Sequence, residues 1–213
     1  KKQGRVTTSL LEVMEIPYKI LTADSNVKEM NTALEEILSI AKKENKPCAL
    51  LIKKGFFMDY KFQSTTFYDR PLCRERAIEI IIDHLSELDI VVSTTGVASR
   101  ELFEYREKLN SGHEKDFLTV GGMGHASQIA LGIALQKKNR QVYCLDGDGA
   151  LIMHMGSLAI NASMNCSNFK HIIFNNSAHD SVGGQPTVGD KINISSIALN
   201  AGYQWAKTVS KEL

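Results

Sequence analysis

The sequence predicts an α/β protein in which a parallel sheet is covered by helices on both faces, preceded by part of a second α/β domain. From residue 72 onward, helical segments alternate with short runs that are apolar almost throughout, as in parallel strands buried on both faces. Glycines and short polar residues follow four of these runs, at 94–96, 121–124, 147–149 and 175–187. Ligands bind such sheets at the carboxyl ends of the strands, so the four segments predict one binding site.

The first part of the chain shows the pattern of a helix, a strand, a long helix and a second strand. The predicted elements are helix 7–14, strand 18–21, helix 26–44 and strand 48–54. Asn26 and Glu29 have the spacing of a capping box at the start of the long helix. Apolar residues recur along this helix at spacings of three and four, which predicts one face packed on a sheet. They are Val27, Met30, Ala33, Leu34, Ile37, Leu38 and Ala41.

A segment rich in aromatic and polar residues, 55–70, breaks both periodicities and predicts a connection between domains. We therefore expect part of one domain at 1–58, a linker at 59–70 and a second domain at 71–213. In the second domain the predicted helices are 74–88, 98–109, 125–138 and 151–165, and the predicted strands are 89–96, 116–122, 140–149 and 170–176.

Charge and composition exclude several classes of function. The 25 basic and 24 acidic residues nearly cancel and form no basic stripe with interleaved aromatic residues, which argues against nucleic acid as a partner. No run approaches the roughly 20 apolar residues of a membrane span, and the first residues lack the apolar segment of a secretory signal, so we expect a cytoplasmic protein with no membrane partner. The scattered cysteines predict small buried residues in a reducing compartment. They are Cys48, Cys73, Cys144 and Cys166.

One predicted strand ends in a carboxylate between two glycines, Gly147, Asp148 and Gly149. The glycines let a phosphate approach the backbone, and the free N–H groups at the start of the next helix favour that phosphate. Asp148 is suited to hold the hard cation that accompanies a phosphate. The chain between Gly149 and Asn175 is long enough for one helix and one strand, so we expect Asn175 and Asn176 beside Asp148. The sequence therefore predicts a magnesium and phosphate site.

Two other interpretations of these glycine motifs fail. A calcium-binding EF-hand loop needs further oxygen ligands at alternate positions and a Glu at its twelfth position. Here these positions are occupied by Ala150, Ile152, His154 and Ala159. A dinucleotide-binding loop needs the pattern G-x-G-x-x-G, which residues 121–126 do not have.

The motif of Gly147 to Gly149, followed at this interval by Asn175 and Asn176, resembles the signature of the thiamine diphosphate-dependent 2-oxo acid decarboxylases. The resemblance implies the thiamine diphosphate-binding fold, with thiamine diphosphate and Mg²⁺ as cofactors. The metal ligands that it implies are Asp148, Asn176 and the backbone carbonyl of Ala178. The residues that it implies around the cofactor are Thr95, Gly96, Gly121, Met123, Gly147, Asp148, Gly149, Ala150 and Asn176.

The resemblance also assigns roles within this set. The carbonyl of Gly121 accepts a hydrogen bond from the cofactor's amino group, and Met123 is the bulky residue that holds the cofactor bent. A methionine alone is more typical of a core, but the sequence GGMG around it favours the cofactor role. His125 and His179 are candidates for proton transfer, because histidine titrates near neutral pH, or else for helix capping and packing. Arg100 is a candidate anion-binding residue or a solvated charge.

Three segments narrow the substrate, namely 93–104, 121–127 and 178–187. Together they resemble the phosphonopyruvate decarboxylases, which convert 3-phosphonopyruvate to phosphonoacetaldehyde and CO₂. The sister family of sulfopyruvate decarboxylases tends to have TGNQPT where residues 182–187 are VGGQPT. Both substrates are small anionic 2-oxo acids. A cofactor-binding module or subunit without turnover is the third interpretation.

The family implies a pyrimidine-binding domain ahead of the diphosphate-binding domain and a homodimer or homotetramer. Residues 1–58 resemble only the closing half of the first of these domains, and the acidic residue that activates the cofactor's pyrimidine is not identifiable. The sequence after Tyr203 resembles an element that lacks its closing strand, which predicts a shortened second domain. We therefore expect that this chain by itself can lack catalytic activity.

Overall fold

The computed structural model describes residues 2–58, 60 and 71–211. By its internal contacts the chain forms two units, one over residues 1–61 and the other over residues 62–213. The first unit contains α1 (Lys2–Val13), β1 (Tyr18–Leu21), α2 (Val27–Glu44) and β2 (Ala49–Ile52). Strands β1 and β2 pair in parallel, with Tyr18 opposite Ala49. Such a pair requires a crossover, which α2 supplies.

The predicted capping box of α2 is confirmed. The Asn26 side chain accepts a hydrogen bond from the Glu29 backbone N–H at 3.0 Å, and the Glu29 side chain accepts one from the Asn26 N–H at 3.0 Å. The predicted apolar face is covered only in part: Ile37 is buried, whereas Leu34 and Leu38 are 41% and 47% exposed.

The first described helix of the second unit begins at Arg74. Its helices are α3 (Arg74–Asp83), α4 (Val97–Leu109), α5 (Ala126–Gln136), α6 (Asp148–Met153), α7 (Ser157–Ser163) and α8 (Ile194–Asn200). Its strands are β3 (Ile90–Ser93), β4 (Asp116–Leu118), β5 (Val142–Gly147), β6 (Phe169–Phe174), β7 (Ala178–His179) and β8 (Gln185–Pro186).

The predicted parallel sheet with helices on both faces is confirmed. Four strands lie in the order β4-β3-β5-β6, and each neighbouring pair is parallel. Side chains of Val92 and Cys144 pack with α5 on one face, and those of Val91 and Leu145 pack with α3 and α4 on the other. This burial of alternate residues on opposite faces explains why the strands are apolar almost throughout.

Two predicted helices are wrong in extent. The helix expected over 74–88 ends at Asp83, because the Asp89 carboxylate accepts hydrogen bonds from Ser86 N at 2.9 Å and Ser86 Oγ at 2.7 Å and forms a turn there. The helix expected over 151–165 is two helices, α6 and α7, separated around Gly156. Glycine is a poor residue for a helix interior, and the interruption coincides with it.

Burial of all four cysteines is also wrong, because Cys73 is exposed at the start of α3 and only Cys144 is fully buried. Cys48 and Cys166 are half-buried. Among the helices that the structure describes, none has both the length and the apolar character that crossing a bilayer requires.

Candidate functional site

A cleft lies at the carboxyl ends of β3, β5 and β6 and includes most of the predicted site residues. The first residues after β3, the start of α6 and the loop after β6 all line it. The predicted residues in its wall are Thr95, Met123, Gly147, Asp148, Gly149, Ala150, Asn176, Ala178 and His179. Parallel strands end at the same edge of the sheet, so residues far apart in the sequence meet here.

Asp148 is the first residue of α6, and only 2% of its surface is exposed. Its Oδ2 accepts a hydrogen bond from Thr187 Oγ1, and Thr187 Oγ1 in turn accepts one from Gly189 N at 3.1 Å. No basic side chain in the described part of the chain forms an ion pair with Asp148. A buried carboxylate without a counter-charge is unfavourable, so this position favours a bound cation.

Gly189 lies directly against this carboxylate. A Cβ atom at position 189 would stand 2.5 Å from Asp148 Oδ2 and 2.5 Å from Asn175 Oδ1. The Asn175 amide Nδ2 also donates to the carbonyl of Gly189 at 2.7 Å. These contacts bring the segment after β8 against the carboxylate and leave no room for a side chain at position 189.

Asn175 and Asn176 each form a tight turn at the end of β6. Asn175 Oδ1 accepts from Ser177 N and Ser177 Oγ, both at 3.2 Å, and supports the left-handed φ of 57° at Ser177. Asn176 Oδ1 accepts from Ala178 N at 3.1 Å, and its Nδ2 donates to Asp180 at 2.7 Å. The two turns direct Asn176 and Ala178 into the wall of the cleft.

Gly149 is covered by two predicted side chains. A Cβ atom at position 149 would stand 2.6 Å from the His179 ring and 3.3 Å from the Met123 methyl carbon. His179 and Met123 therefore meet over the first turn of α6, whose N–H groups have no acceptor within the helix. The sequence predicted these three residues at one edge of the sheet, because each lies in a segment that follows a strand.

The loop after β3 meets the loop after β7. Gly96 adopts a positive φ of 102°, and a Cβ atom there would stand 3.1 Å from Ser181 Oγ. Ser99 Oγ donates to the Thr94 carbonyl at 2.6 Å and holds the turn that leads into α4. Gly96 itself is not among the described residues that line the cleft, but Thr95 and Ser181 are.

Two other predicted residues lie outside the described lining of the cleft, Gly121 and His125. Both are exposed. His125 precedes α5, its Nδ1 lies 3.1 Å from the Gly122 carbonyl oxygen, and its ring lies 4.5 Å from that of His154. Arg100 is also exposed and donates to the Gly96 carbonyl at 3.4 Å. Proton transfer by His125 stays a prediction.

Sequence reasoning missed a positively charged residue that lines the cleft, Arg74. Its Nε and Nη2 donate to the two carboxylate oxygens of Glu101 at 2.7 and 3.0 Å, and its Nη1 donates to Asp180 at 3.0 Å. These partners lie 27 and 106 positions away in the sequence, so no local pattern indicates them.

A buried polar network beneath the motif was missed as well. Asp146 accepts from the Gly147 N–H at 2.9 Å, and its other oxygen lies 3.3 Å from His171 Nε2. His171 Nδ1 lies 3.1 Å from the Tyr203 hydroxyl, which accepts from Asn161 at 3.2 Å. Burial raises the pKa of Tyr203 to about 12. Through the hydrogen bond between Asp146 and the Gly147 N–H, the network helps to hold the turn at Gly147.

A larger cavity of about 420 Å³ lies at the opposite, amino end of the sheet. Arg106 in its wall is already bound to both oxygens of Asp116, at 3.0 Å each. Ligands bind parallel sheets at the carboxyl end, so we assign the functional site to the cleft and not to this cavity.

The donor set of the cleft fits the predicted Mg²⁺ and diphosphate. A buried carboxylate and an amide oxygen are hard ligands of the kind that Mg²⁺ binds, and magnesium takes its remaining ligands from phosphates and water. The first N–H groups of α6 and the close approach at Gly149 suit a phosphate group.

Comparison with known proteins shows which family the chain is similar to. Residues 94–212 match the family model described as thiamine pyrophosphate enzyme, C-terminal TPP binding domain. A phosphonopyruvate decarboxylase from Streptomyces viridochromogenes is 30% identical over 216 residues, which cover 94% of this chain and 52% of that protein. A sulfopyruvate decarboxylase subunit beta from Methanocaldococcus jannaschii is 37% identical over 136 residues, which cover 63% of this chain and 69% of that subunit.

The chain spans about half the length of the phosphonopyruvate decarboxylases that it matches. Among solved structures, a benzoylformate decarboxylase from Polynucleobacter necessarius aligns with a TM-score of 0.53 at 15% identity, over 90% of this chain and 39% of that one. This likeness supports the fold, and the sequence matches support the family and its cofactor, thiamine diphosphate. The chain therefore belongs to the family of thiamine diphosphate-dependent decarboxylases.

Proposed function

We propose that this chain is part of an enzyme that decarboxylates 3-phosphonopyruvate to phosphonoacetaldehyde and CO₂ with thiamine diphosphate and Mg²⁺. The observation that carries the proposal is the buried carboxylate of Asp148, which forms no ion pair among the described residues and lies in a cleft that also includes Asn176 and Gly149. Bound thiamine diphosphate supplies the electron sink for loss of CO₂ from a 2-oxo acid. The protein's own residues hold the cofactor and position the substrate.

In this proposal Asp148, Asn176 and the carbonyl of Ala178 hold Mg²⁺. All three line the cleft, and Thr187 orients the Asp148 carboxylate through its hydroxyl. Such a partner of a metal ligand restricts the rotation of the carboxylate and leaves its second oxygen for the cation.

The diphosphate is proposed to contact backbone N–H groups of Gly149 and Ala150, together with Thr95 and Gly96. Gly147 completes the turn before α6. His179 packs over Gly149, so position 149 has no room for a side chain.

The residues near the reacting part of the cofactor are proposed from the family resemblance and their place in the chain. Gly121 offers its carbonyl, and Met123 supports the bent form of the cofactor. His179 is proposed for proton transfer to the substrate, and its place in the wall of the cleft supports this role. His125 is the second candidate.

The extent of one match supports the proposal of phosphonopyruvate as the substrate. The phosphonopyruvate decarboxylase of Streptomyces viridochromogenes matches 94% of this chain, whereas the sulfopyruvate decarboxylase subunit beta of Methanocaldococcus jannaschii matches 63%. The higher identity of the second match, 37% against 30%, makes sulfopyruvate the second candidate substrate. Both are anionic 2-oxo acids.

We propose further that residues 1–58 form part of a pyrimidine-binding domain, that 59–70 connect it, and that 71–213 form the diphosphate-binding domain. The support is the division into two units and the family match over residues 94–212. Assembly as a homodimer or homotetramer belongs to the same proposal.

Binding is tested by isothermal titration of the 213-residue chain with thiamine diphosphate. We expect binding that requires Mg²⁺ and that is lost on Asp148→Ala, because this substitution removes the buried metal ligand. Gly132→Ala, on an exposed part of α5 with open space around it, is the control and leaves binding unchanged. Cofactor binding that neither requires Mg²⁺ nor is weakened by Asp148→Ala would contradict the proposed site.

Substrate choice is tested by trapping the aldehyde product from phosphonopyruvate, sulfopyruvate and pyruvate, using the natural protein that carries this chain. We expect the highest kcat/KM with phosphonopyruvate. A preference for sulfopyruvate would contradict the proposed substrate but not the proposed cofactor site. Equal inactivity on all three, with magnesium-dependent cofactor binding intact, would favour a binding module without turnover.

A further inference from the structure

A carboxylate that the proposed function does not use lies next to a proposed metal ligand. Asp180 Oδ2 accepts hydrogen bonds from Asn176 Nδ2 at 2.7 Å and from Arg74 Nη1 at 3.0 Å. Arg74 is held in place by two further hydrogen bonds to Glu101, and the side chains of Arg74 and Glu101 are only 18% and 16% exposed. Four side chains therefore form one connected set at the mouth of the cleft.

The hydrogen bond to Asp180 determines the orientation of the Asn176 side-chain amide. The Nδ2 group points to the carboxylate, so Oδ1 points away from it, where it accepts from Ala178 N at 3.1 Å. An amide oxygen has two lone pairs, and one hydrogen bond leaves the other for a cation. If the Asn176 amide were rotated, it would present its N–H groups to the cation, and N–H groups cannot bind a cation.

The anchor of Asp180 lies on a rigid part of the unit. Arg74 is the first residue of α3, Glu101 lies in α4, and these helices pack on each other through Ile78 and Leu102. Glu101 and then Asp180 raise the pKa of Arg74, so the guanidinium stays charged. Asp180 itself is in the short turn after β7, and its side chain is 41% exposed. Arg74 thus links the Asp180 side chain to the packed helices α3 and α4.

We propose that Asp180 is a positioning residue for the magnesium ligand Asn176, and that Arg74, oriented by Glu101, holds Asp180 in place. The inference rests on the proposed function, because it takes Asn176 as a ligand. Mg²⁺ demands nearly ideal octahedral geometry, so an amide free to rotate binds it poorly. Partners of metal ligands typically change metal affinity by about 10- to 100-fold.

The test measures the dissociation constant of Mg²⁺ by titration of the 213-residue chain at saturating thiamine diphosphate. We expect Asp180→Ala and Arg74→Met to weaken Mg²⁺ binding by about 10- to 100-fold. Asp180→Asn keeps an oxygen that accepts from Asn176, so it should recover most of the affinity. Ca²⁺ tolerates irregular geometry, so its affinity should fall much less than that of Mg²⁺.

The matched control is Arg106→Met. Arg106 forms the same kind of paired hydrogen bonds with a carboxylate, Asp116, with side chains 13% and 1% exposed, but at the amino end of the sheet. This variant should lose stability and keep its Mg²⁺ affinity. Circular dichroism confirms that each variant is folded before titration, and Arg74→Met, which removes the bond to Asp180, carries the test if Asp180→Ala is not folded.

The outcomes separate this inference from the proposed function. If Asp148→Ala abolishes magnesium-dependent binding while Asp180→Ala and Arg74→Met leave the Mg²⁺ affinity unchanged, the positioning role is wrong and the site stands. Equal losses of Mg²⁺ and Ca²⁺ affinity, or equal losses in Arg106→Met, would also overturn it. If Asp148→Ala has no effect, the metal site itself is wrong.

Discussion

At the scale of single residues, the site depends on buried polar atoms in close contact with backbone. Asp148 is nearly fully buried, and its described hydrogen bond comes from a neutral hydroxyl, that of Thr187. Gly189 lies against the same carboxylate. A position so close to two oxygen atoms admits hydrogen only, so the identity of this residue follows from the geometry of the carboxylate.

Gly189→Ala should therefore destabilise the protein by about 1–3 kcal/mol, the usual cost of inserting an atom into a packed site. It should also weaken magnesium-dependent cofactor binding, because the new methyl group displaces the Asp148 carboxylate. Urea denaturation gives the first quantity and calorimetric titration the second.

The control for this substitution is Gly132→Ala in α5, where an added Cβ has nothing within 4 Å. Because alanine is the better helix residue, this change should stabilise the protein by about 0.5–1 kcal/mol. Equal effects of the two substitutions would show that position 189 is not in contact with the carboxylate.

At the scale of elements, a polar network links β5, β6 and α7 with the segment after α8. Tyr203 is its centre, since its hydroxyl contacts His171 at 3.1 Å and Asn161 at 3.2 Å. Asn161 also accepts a hydrogen bond from Gln128 in α5. Polar groups inside a core stabilise it only while all of them are paired, so the network ties these elements to one arrangement.

The raised pKa of Tyr203, about 12 against an ordinary value of 10.0, predicts alkaline sensitivity. The folded protein retains the hydroxyl proton more strongly than the unfolded chain, so this contribution is complete below pH 10 and is lost as the pH rises toward 12. Tyr203→Phe should destabilise the protein at pH 8 by about 1–3 kcal/mol, because His171 and Asn161 lose a partner.

The difference in unfolding free energy between the native protein and Tyr203→Phe should shrink as the pH rises above 10. Urea denaturation at pH 8 and pH 11 measures it. A constant difference between these two pH values would mean that the Tyr203 hydroxyl does not titrate differently in the two states.

At the scale of the whole molecule, the sequence was sufficient to predict the parallel sheet and the edge that carries the site. The strands β3 and β5 are buried on both faces, and this burial requires the apolar runs that reveal them. The cleft at their carboxyl ends follows from topology, which is why Asp148 and Asn176 were predicted to line one site and do so.

What the sequence did not predict depends on contacts between distant residues. Arg74 and Asp180 are 106 positions apart, and Asp146 and His171 are 25 apart. No periodicity of 2 or 3.6 residues relates such pairs. The hairpin of β7 and β8 and the interruption between α6 and α7 were also not predicted. The reason is that each of these elements is too short for a periodic pattern.

The cysteines differ sharply in how a reagent in solution reaches them. Cys73 is exposed and stands one residue before Arg74, whereas Cys144 has no exposed surface, and burial raises the pKa of its thiol well above the ordinary value. We therefore expect a thiol-reactive fluorophore to attach at Cys73, next to a residue that lines the cleft, in preference to Cys144 in β5. A fluorophore on Cys73 would therefore lie next to Arg74, the residue that binds Asp180 in the loop after β7.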